Sequence, residues 1–153
     1  MRIFIIIFLF PFISLSQDSL NMSLLGYIDY PLTNGIDIWG YVDSSGNEYA
    51  IVGLRDGVSF VDVTDPTNPD EKFFIPDIYS VWRDIKTWNN YAYVTTESDT
   101  GLLIIDLNDL SGNTYWHVKD FIGDNSIDTI HFEAAHNLYI DENGIAYIFG
   151  ASN

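Results

Sequence analysis

A repeated strand–turn–strand pattern constrains this 153-residue chain more than any other feature. In the first copy, Glu48-Tyr-Ala-Ile-Val-Gly-Leu leads through a turn at Arg55 to Val58-Ser-Phe-Val-Asp-Val. In the second copy, Tyr91-Ala-Tyr-Val-Thr-Thr-Glu leads through a similar turn to Leu102-Leu-Ile-Ile-Asp-Leu. Short β-branched and aromatic runs bounded by turn residues predict strands, so each copy contains at least one β-hairpin.

The spacing of the copies predicts their architecture. Matched positions lie 42 residues apart (Ala50 and Ala92) or 44 apart (Asp62 and Asp106), which is the length of one four-stranded propeller blade. A third copy begins at His136. Beyond the first 16 residues no stretch has a helical period. We therefore predict an all-β chain that forms a partial β-propeller of four-stranded antiparallel blades.

The predicted organisation comprises about two and a half blades. Residues 17–36 form an N-terminal strand and linker, in which Leu24-Leu-Gly-Tyr-Ile-Asp is expected to be the outer strand that closes a final blade. The blades cover 37–77, 82–123 and, in part, 135–153. Because an incomplete ring leaves unpaired edges, we expect the chain to be a fragment of a longer propeller. The predicted strands of the two full blades are 37–43, 49–54, 58–63 and 72–76, then 84–88, 91–96, 102–107 and 115–121.

The first 16 residues have the pattern of a signal peptide. Met1 and Arg2 supply positive charge, and the apolar stretch from Ile3 to Leu15 holds 13 residues, fewer than the ~20 that span a bilayer. Small residues precede Gln17, which is the expected mature N-terminus. These features predict a secreted or cell-surface protein with no transmembrane span after cleavage. The absence of cysteine excludes a lipoprotein anchor.

The composition of the chain limits the classes of molecule that it can bind. The 47% of hydrophobic residues indicates a packed domain rather than a disordered chain. Acidic residues outnumber basic ones by 22 to 6, and the net charge of −16 repels nucleic acid and anionic lipid. We therefore expect no nucleic-acid partner, and an extracellular protein or glycan as the ligand.

Several motifs resemble a known family. Gly57-Val-Ser-Phe-Val-Asp-Val-Thr-Asp-Pro-Thr-Asn-Pro resembles the LVIVD repeat, in which a strand ending in Asp-Val precedes an Asp-Pro-x-x-Pro turn. The second copy departs from this pattern, with Leu107-Asn-Asp-Leu-Ser-Gly at the turn. The wider pattern is similar to the choice-of-anchor B family of bacterial exported proteins. The resemblance implies a propeller domain on a secreted or surface-attached protein. Further matching elements are Asp37-Ile-Trp-Gly-Tyr-Val-Asp, Trp82-Arg-Asp-Ile-Lys and Ala135-His-Asn-Leu-Tyr-Ile-Asp.

The propeller frame also predicts where a ligand could bind. Loops that precede the innermost strand and loops between the second and third strands lie on one face, around the central channel. An offset of 47 equates Asp37 with Asp84, and an offset of 52 equates Asp84 with His136, which places three polar residues at one channel mouth. Such residues could hold a divalent cation or a polar ligand; alternatively, they cap strands and bond local backbone. The candidate ligand-binding residues are Asp37, Arg55, Arg83, Asp84, Glu97, His136 and Asn137.

A second candidate is a metal site in Ile130-His-Phe-Glu-Ala-Ala-His. Its members are His131, Glu133 and His136. The two histidines are five residues apart rather than the four that place both on one helical face, so this is not the metalloprotease motif. A loop could still gather these side chains around a divalent cation, the one cofactor that the sequence suggests.

Other catalytic patterns are absent from the sequence. It has no glycine-rich phosphate loop, no Gly-x-Ser-x-Gly elbow and no cysteine nucleophile. The leading hypothesis is therefore a non-enzymatic exported propeller that serves as a binding module. Two alternatives stay open. One is a metal-dependent hydrolase that uses the channel-face carboxylates and histidines. The other is a carbohydrate-binding module, in which tryptophans stack on sugar rings instead of filling the core. The tryptophans are Trp39, Trp82, Trp88 and Trp116.

Overall fold

The computed structural model describes residues 21–122 and 128–152. The predicted signal peptide, 1–16, lies outside the described residues. Within the described ranges the secondary structure consists of strands, turns and bends without helix, which confirms the all-β prediction. No helix in these ranges therefore has the length and hydropathy to cross a membrane.

The first blade is a four-stranded antiparallel sheet in the order β1-β2-β3-β4. Burial alternates along β2 from Glu48 to Gly53, which gives the strand one buried face. Asp43 closes the β1–β2 turn by accepting hydrogen bonds from the backbone N–H groups of Ser45 and Asn47. The strands are β1 (Gly35–Val42), β2 (Glu48–Leu54), β3 (Gly57–Asp62) and β4 (Asp70–Pro76).

The second blade repeats this order as β5-β6-β7-β8. Its fourth strand is shorter than the predicted 115–121. At Lys119 the chain changes partner, because β8 pairs with β7 while the next strand, β9, pairs with β10. The strands are β5 (Arg83–Trp88), β6 (Tyr91–Thr96), β7 (Leu102–Asp106), β8 (Tyr115–Val118), β9 (Asp120–Ile122) and β10 (Thr129–His131).

The third unit is a hairpin of β11 (Asn137–Ile140) and β12 (Ala146–Phe149), the inner half of a blade. It begins beside the second blade, where the Ala135 N–H donates to the Thr96 carbonyl at 2.8 Å. The partial blade is thus present where the repeat pattern placed it. With the two four-stranded sheets, it confirms the partial-propeller fold.

The N-terminal segment 22–30 forms no strand in the structure. It lies against the first blade, where the Tyr30 hydroxyl donates to Ser59 Oγ at 2.8 Å. Gly26 is so close to Pro66 that a Cβ there would lie 2.5 Å from the proline carbonyl oxygen. The closing strand expected at 24–29 stays a prediction, since a ladder partner for it is not among the described residues.

The main core lies between the first two blades. Phe60 is 1% exposed, and its ring stacks on those of Tyr49 and Phe73, with both pairs of ring centroids 4.8 Å apart. Both blades contribute buried aliphatic side chains around these rings, so neither sheet can bury its apolar face alone. The other buried members are Ile51, Val58, Ile75, Ile85, Ala92, Val94, Leu103, Ile105 and Leu107.

A pair of equivalent hydrogen bonds joins the innermost strands, which lie side by side as β1, β5 and β11. Asp37 Oδ2 accepts from the Ile85 backbone N–H at 2.9 Å, and Asp84 Oδ2 accepts from the Leu138 backbone N–H at 2.8 Å. We call each such contact a latch, because a carboxylate on one blade holds the first strand of the next.

The latches correct the predicted alignment of the third copy. The acceptor Asp84 directly precedes the latched residue Ile85, and the residue directly before Leu138 is Asn137. Asn137, rather than His136, is therefore the counterpart of the two aspartates. The offset from Asp84 to its counterpart is therefore 53 residues, one more than the 52 used in the predicted alignment.

We expect Asp84→Ala to loosen the third unit. Asp84 is 6% exposed and Leu138 is fully buried, so the substitution leaves the Leu138 N–H without its acceptor. A hydrogen bond to a charged group contributes about 1.5–3 kcal/mol, which predicts exchange of the Leu138 amide hydrogen about 10-fold faster or more. Asp84→Asn keeps an acceptor oxygen and should retain most of the protection. An unchanged Leu138 exchange rate in Asp84→Ala would show that the latch carries no stability.

Candidate functional site

Antiparallel order brings five connecting segments to one end of the blades, which we call the loop face. At this end β1 and β3 begin and β2 and β4 end, and the second blade repeats the arrangement. Backbone contacts tie the segments together: Ser80 N–H donates to the Arg55 carbonyl, and Ser98 Oγ donates to the Tyr79 carbonyl, both at 2.9 Å. The loop face comprises segments 31–34, 55–56, 77–82, 97–101 and 132–136.

One predicted site residue, Arg83, is buried beneath this face. Its side chain is fully covered, and it donates from Nε to the Leu54 carbonyl at 2.7 Å. One terminal nitrogen donates to Asp77 Oδ2 and the other to the Ile78 carbonyl, each at 2.5 Å. The side chain of Asp77 is 2% exposed and also contacts His117 Nε2 at 3.2 Å. Arg83 therefore fastens the two blades together and does not reach a ligand at the channel mouth.

The two predicted aspartates are also structural. Asp37 and Asp84 form the latches, and Asp84 additionally accepts from Lys86 Nζ at 2.7 Å. Lys86 in turn lies 4.5 Å from the centre of the Trp39 ring. These contacts match the alternative prediction that the aspartates bond backbone groups. The backbone they bond, however, belongs to the neighbouring blade. The predicted ring of Asp37, Asp84 and His136 is not assembled.

Glu97 and His136, both predicted site residues, do meet on the exposed loop face. His136 Nδ1 lies 2.6 Å from Glu97 Oε1, and the imidazole stacks on Trp82 with ring centroids 4.2 Å apart and planes 13° apart. The side chains of His136 and Glu97 are 49% and 43% exposed. This cluster offers a carboxylate, an imidazole and an indole edge to a ligand from solvent.

Arg55 lies beside a second exposed feature of the loop face. Its guanidinium donates to the Tyr79 hydroxyl at 2.9 Å and sits 5.9 Å from the centre of the same ring. The two residues line a pocket of about 170 Å³, which we call the Arg55 pocket. Its other lining residues are Leu32, Thr33, Asn34 and Asp56.

The predicted metal set is not brought together. His131 contacts Asp120 Oδ1 at 2.8 Å and Glu133 Oε1 at 3.6 Å, whereas His136 contacts Glu97. The hydrogen bond that His131 makes to the Asp120 carboxylate is the main reason that the pKa of His131 is raised above 6.5. In the described part of the chain, no three His, Cys, Asp or Glu side chains form a group that could hold a metal ion.

The four tryptophans have different roles. Trp39 Nε1 donates to Thr87 Oγ1 at 3.0 Å across the first blade junction. Trp88 packs so closely on Gly144 that a Cβ there would lie 2.4 Å from the indole ring, and Gly144 has a φ of +80° that favours glycine. Trp116 meets Tyr91 edge-on. Trp82 is therefore the one tryptophan on the loop face.

Two residues of the loop face were not among the predicted channel-face residues, although the carbohydrate-binding alternative includes Trp82. Tyr79 and Trp82 lie in segment 77–82, where Ile78 and Val81 are also exposed. The sequence signal for these residues is a cluster of apolar side chains in a segment without the alternation of a strand. Apolar residues in an exposed loop contribute little to folding, so such a cluster indicates a surface that a ligand or partner covers. Asn137, a predicted site residue, is half-buried at the start of β11, at the position equivalent to Asp37 and Asp84.

Comparison with protein families gives one match. Residues 41–76 and 82–114 match the model of the LVIVD repeat. The first match contains the end of β1 with all of β2, β3 and β4, and the second contains β5, β6 and β7 and ends before β8. No curated protein and no solved structure matches the chain.

Proposed function

Because the chain carries two LVIVD repeats that fold as neighbouring propeller blades, we propose that it is a non-enzymatic module that binds an extracellular ligand through its loop face. One observation carries this proposal. Hydrogen bonds across the blade junctions occupy the side chains of Asp37, Arg83 and Asp84. On the loop face, by contrast, Arg55 and Glu97 are accessible to a ligand. Polar groups beside aromatic rings on a rigid scaffold are typical of a binding surface.

We also propose that the protein is exported and belongs to the choice-of-anchor B family. The sequence of 1–16 supports export, and the ordered set of motifs around the two repeats supports the family. N-terminal sequencing of the exported protein should begin at Gln17. A protein that keeps Met1 and stays in the cytoplasm would contradict export.

The geometry favours binding over hydrolysis. A metal-dependent hydrolase needs several ligands around one ion, and the described residues contain no such group. Of the predicted metal ligands, His131 has carboxylates at both ring nitrogens and His136 has both Glu97 and the Trp82 ring as neighbours. In these contacts the polar side chains of the surface bind one another rather than converging on one point.

A matched pair of tryptophan variants tests the binding proposal. Trp82 on the loop face and Trp116 on β8 are 38% and 41% exposed, so each substitution by alanine removes a similar exposed ring. The mature protein would be screened against immobilised extracellular polysaccharides and glycoproteins. We expect Trp82→Ala to weaken retention on a bound ligand about 10-fold or more, since stacked aromatic contacts contribute on the order of 1.4 kcal/mol or more.

Trp116→Ala should retain the ligand as the parent protein does. Equal losses in both variants, or no loss in either, would place the ligand away from the loop face. Failure of the parent protein to bind any member of the panel would count against a binding module of this kind.

A further inference from the structure

Arg55 stands apart from the other cations of the described residues. This part of the chain contains five lysine and arginine residues, and four of them form ion pairs: Lys72 with Asp62 and Asp70, Arg83 with Asp77, Lys86 with Asp84, and Lys119 with Asp99. Arg55 has no carboxylate within the ion-pair distance there, although the whole chain carries a net charge of −16. The carboxylate of a ligand could form an ion pair with this guanidinium, which has no such partner even though the protein is acidic.

One hydrogen bond orients the Arg55 guanidinium, and two backbone hydrogen bonds hold the main chain of this residue. The Tyr79 hydroxyl accepts from one terminal nitrogen at 2.9 Å, and the backbone of Arg55 is bonded on both sides. Its N–H donates to the Asn34 carbonyl at 3.3 Å and its carbonyl accepts from Ser80 at 2.9 Å. A fixed planar fork loses little entropy when it pairs with a carboxylate.

The rest of the Arg55 pocket suits a hydroxylated ring. Asp56 can accept hydrogen bonds at its edge, Asn34 can accept and donate them, and Tyr79 is 60% exposed. Thr33 also lines the pocket.

We propose that the Arg55 pocket binds a uronic acid residue of a glycan. The guanidinium pairs with the sugar carboxylate, the Tyr79 ring stacks on the pyranose, and Asp56 accepts hydrogen bonds from hydroxyl groups. The Asp56 carboxylate would repel a small inorganic anion, but it can accept a hydrogen bond from a sugar hydroxyl group. The acidic field of the chain disfavours a polyanion, so the ligand carries isolated carboxylates. This inference rests on the proposed binding function and names its ligand class.

The test is an NMR titration of the mature protein with methyl β-D-glucuronide and, for comparison, with the uncharged methyl β-D-glucoside. We expect the glucuronide to bind about 10-fold more tightly and to shift the signals of Arg55 and Tyr79, since a hydrogen bond to a charged group contributes about 1.5–3 kcal/mol. Arg55→Gln should reduce glucuronide binding to the level of the glucoside. Lys72→Gln, which removes a paired cation from β4, should keep the preference.

Three results would overturn the inference. The first is equal binding of the two glycosides by the parent protein, and the second is an undiminished preference in Arg55→Gln. The third is binding of N-acetyl-aspartate as tight as that of the glucuronide, which would assign the pocket to acidic peptides. If a ligand depends on Trp82 but the glucuronide does not bind, the inference fails and the binding function stands. If neither experiment finds a ligand, both fail.

Discussion

Replacing Arg83 with alanine is expected to lower the free energy of unfolding by about 3–5 kcal/mol, because it removes the guanidinium that pairs with the buried Asp77 carboxylate. The substitution also removes the donor from the carbonyls of Leu54 and Ile78. Arg83→Lys keeps the charge but cannot reach three acceptors in a planar fork, so we expect it to recover only part of the loss.

Urea unfolding followed by circular dichroism measures the effect, with Lys72→Ala as the control. The side chain of Lys72 is 36% exposed and pairs with surface carboxylates, so its loss should cost less than about 1 kcal/mol. A loss in Arg83→Ala as small as that in Lys72→Ala would mean that the Arg83–Asp77 pair does not hold the two blades together.

A second large effect is expected from Phe60→Ala, which should destabilise the protein by about 3–5 kcal/mol. The ring of Phe60 is 1% exposed and stacks between Tyr49 and Phe73, so alanine leaves a cavity that two packed sheets cannot easily fill. Phe74→Ala is the control, because this neighbouring ring on β4 is 38% exposed.

Urea unfolding of the two variants separates the roles of these rings. Phe74→Ala should cost about 1 kcal/mol or less. Because the core around Phe60 contains residues of both blades, Phe60→Ala should lower the unfolding midpoint for both sheets together. Unfolding of the first blade alone, with the second unaffected, would contradict a shared core.

Most of the fold could be predicted from the sequence because its strands are short, apolar and separated by turn residues. The predicted strands 49–54 and 91–96 overlap β2 and β6 almost completely. The fourth strand of the second blade was predicted too long, since apolar composition continues through Phe121 while the pairing partner changes at Lys119. Pairing partners depend on tertiary contacts that local composition does not contain.

The site was harder to predict because burial depends on how the blades stack. Arg55 and Arg83 both lie at strand ends near the same face, yet one lines a pocket and the other is fully covered. Asp84 was correctly matched to Asp37, but its role as a latch follows from the backbone of the next blade. Sequence periodicity gave the position of these side chains along a blade, and stacking determined which of them meet solvent.

The most direct test of this division between structural and exposed charges is the free energy of unfolding of Arg55→Ala, measured beside that of Arg83→Ala. We predict that Arg55→Ala stays within about 0.5 kcal/mol of the parent protein, as expected for a surface residue without an ion pair, while Arg83→Ala loses several kcal/mol. Similar losses in both variants would contradict the assignment of Arg55 to a ligand and Arg83 to the fold.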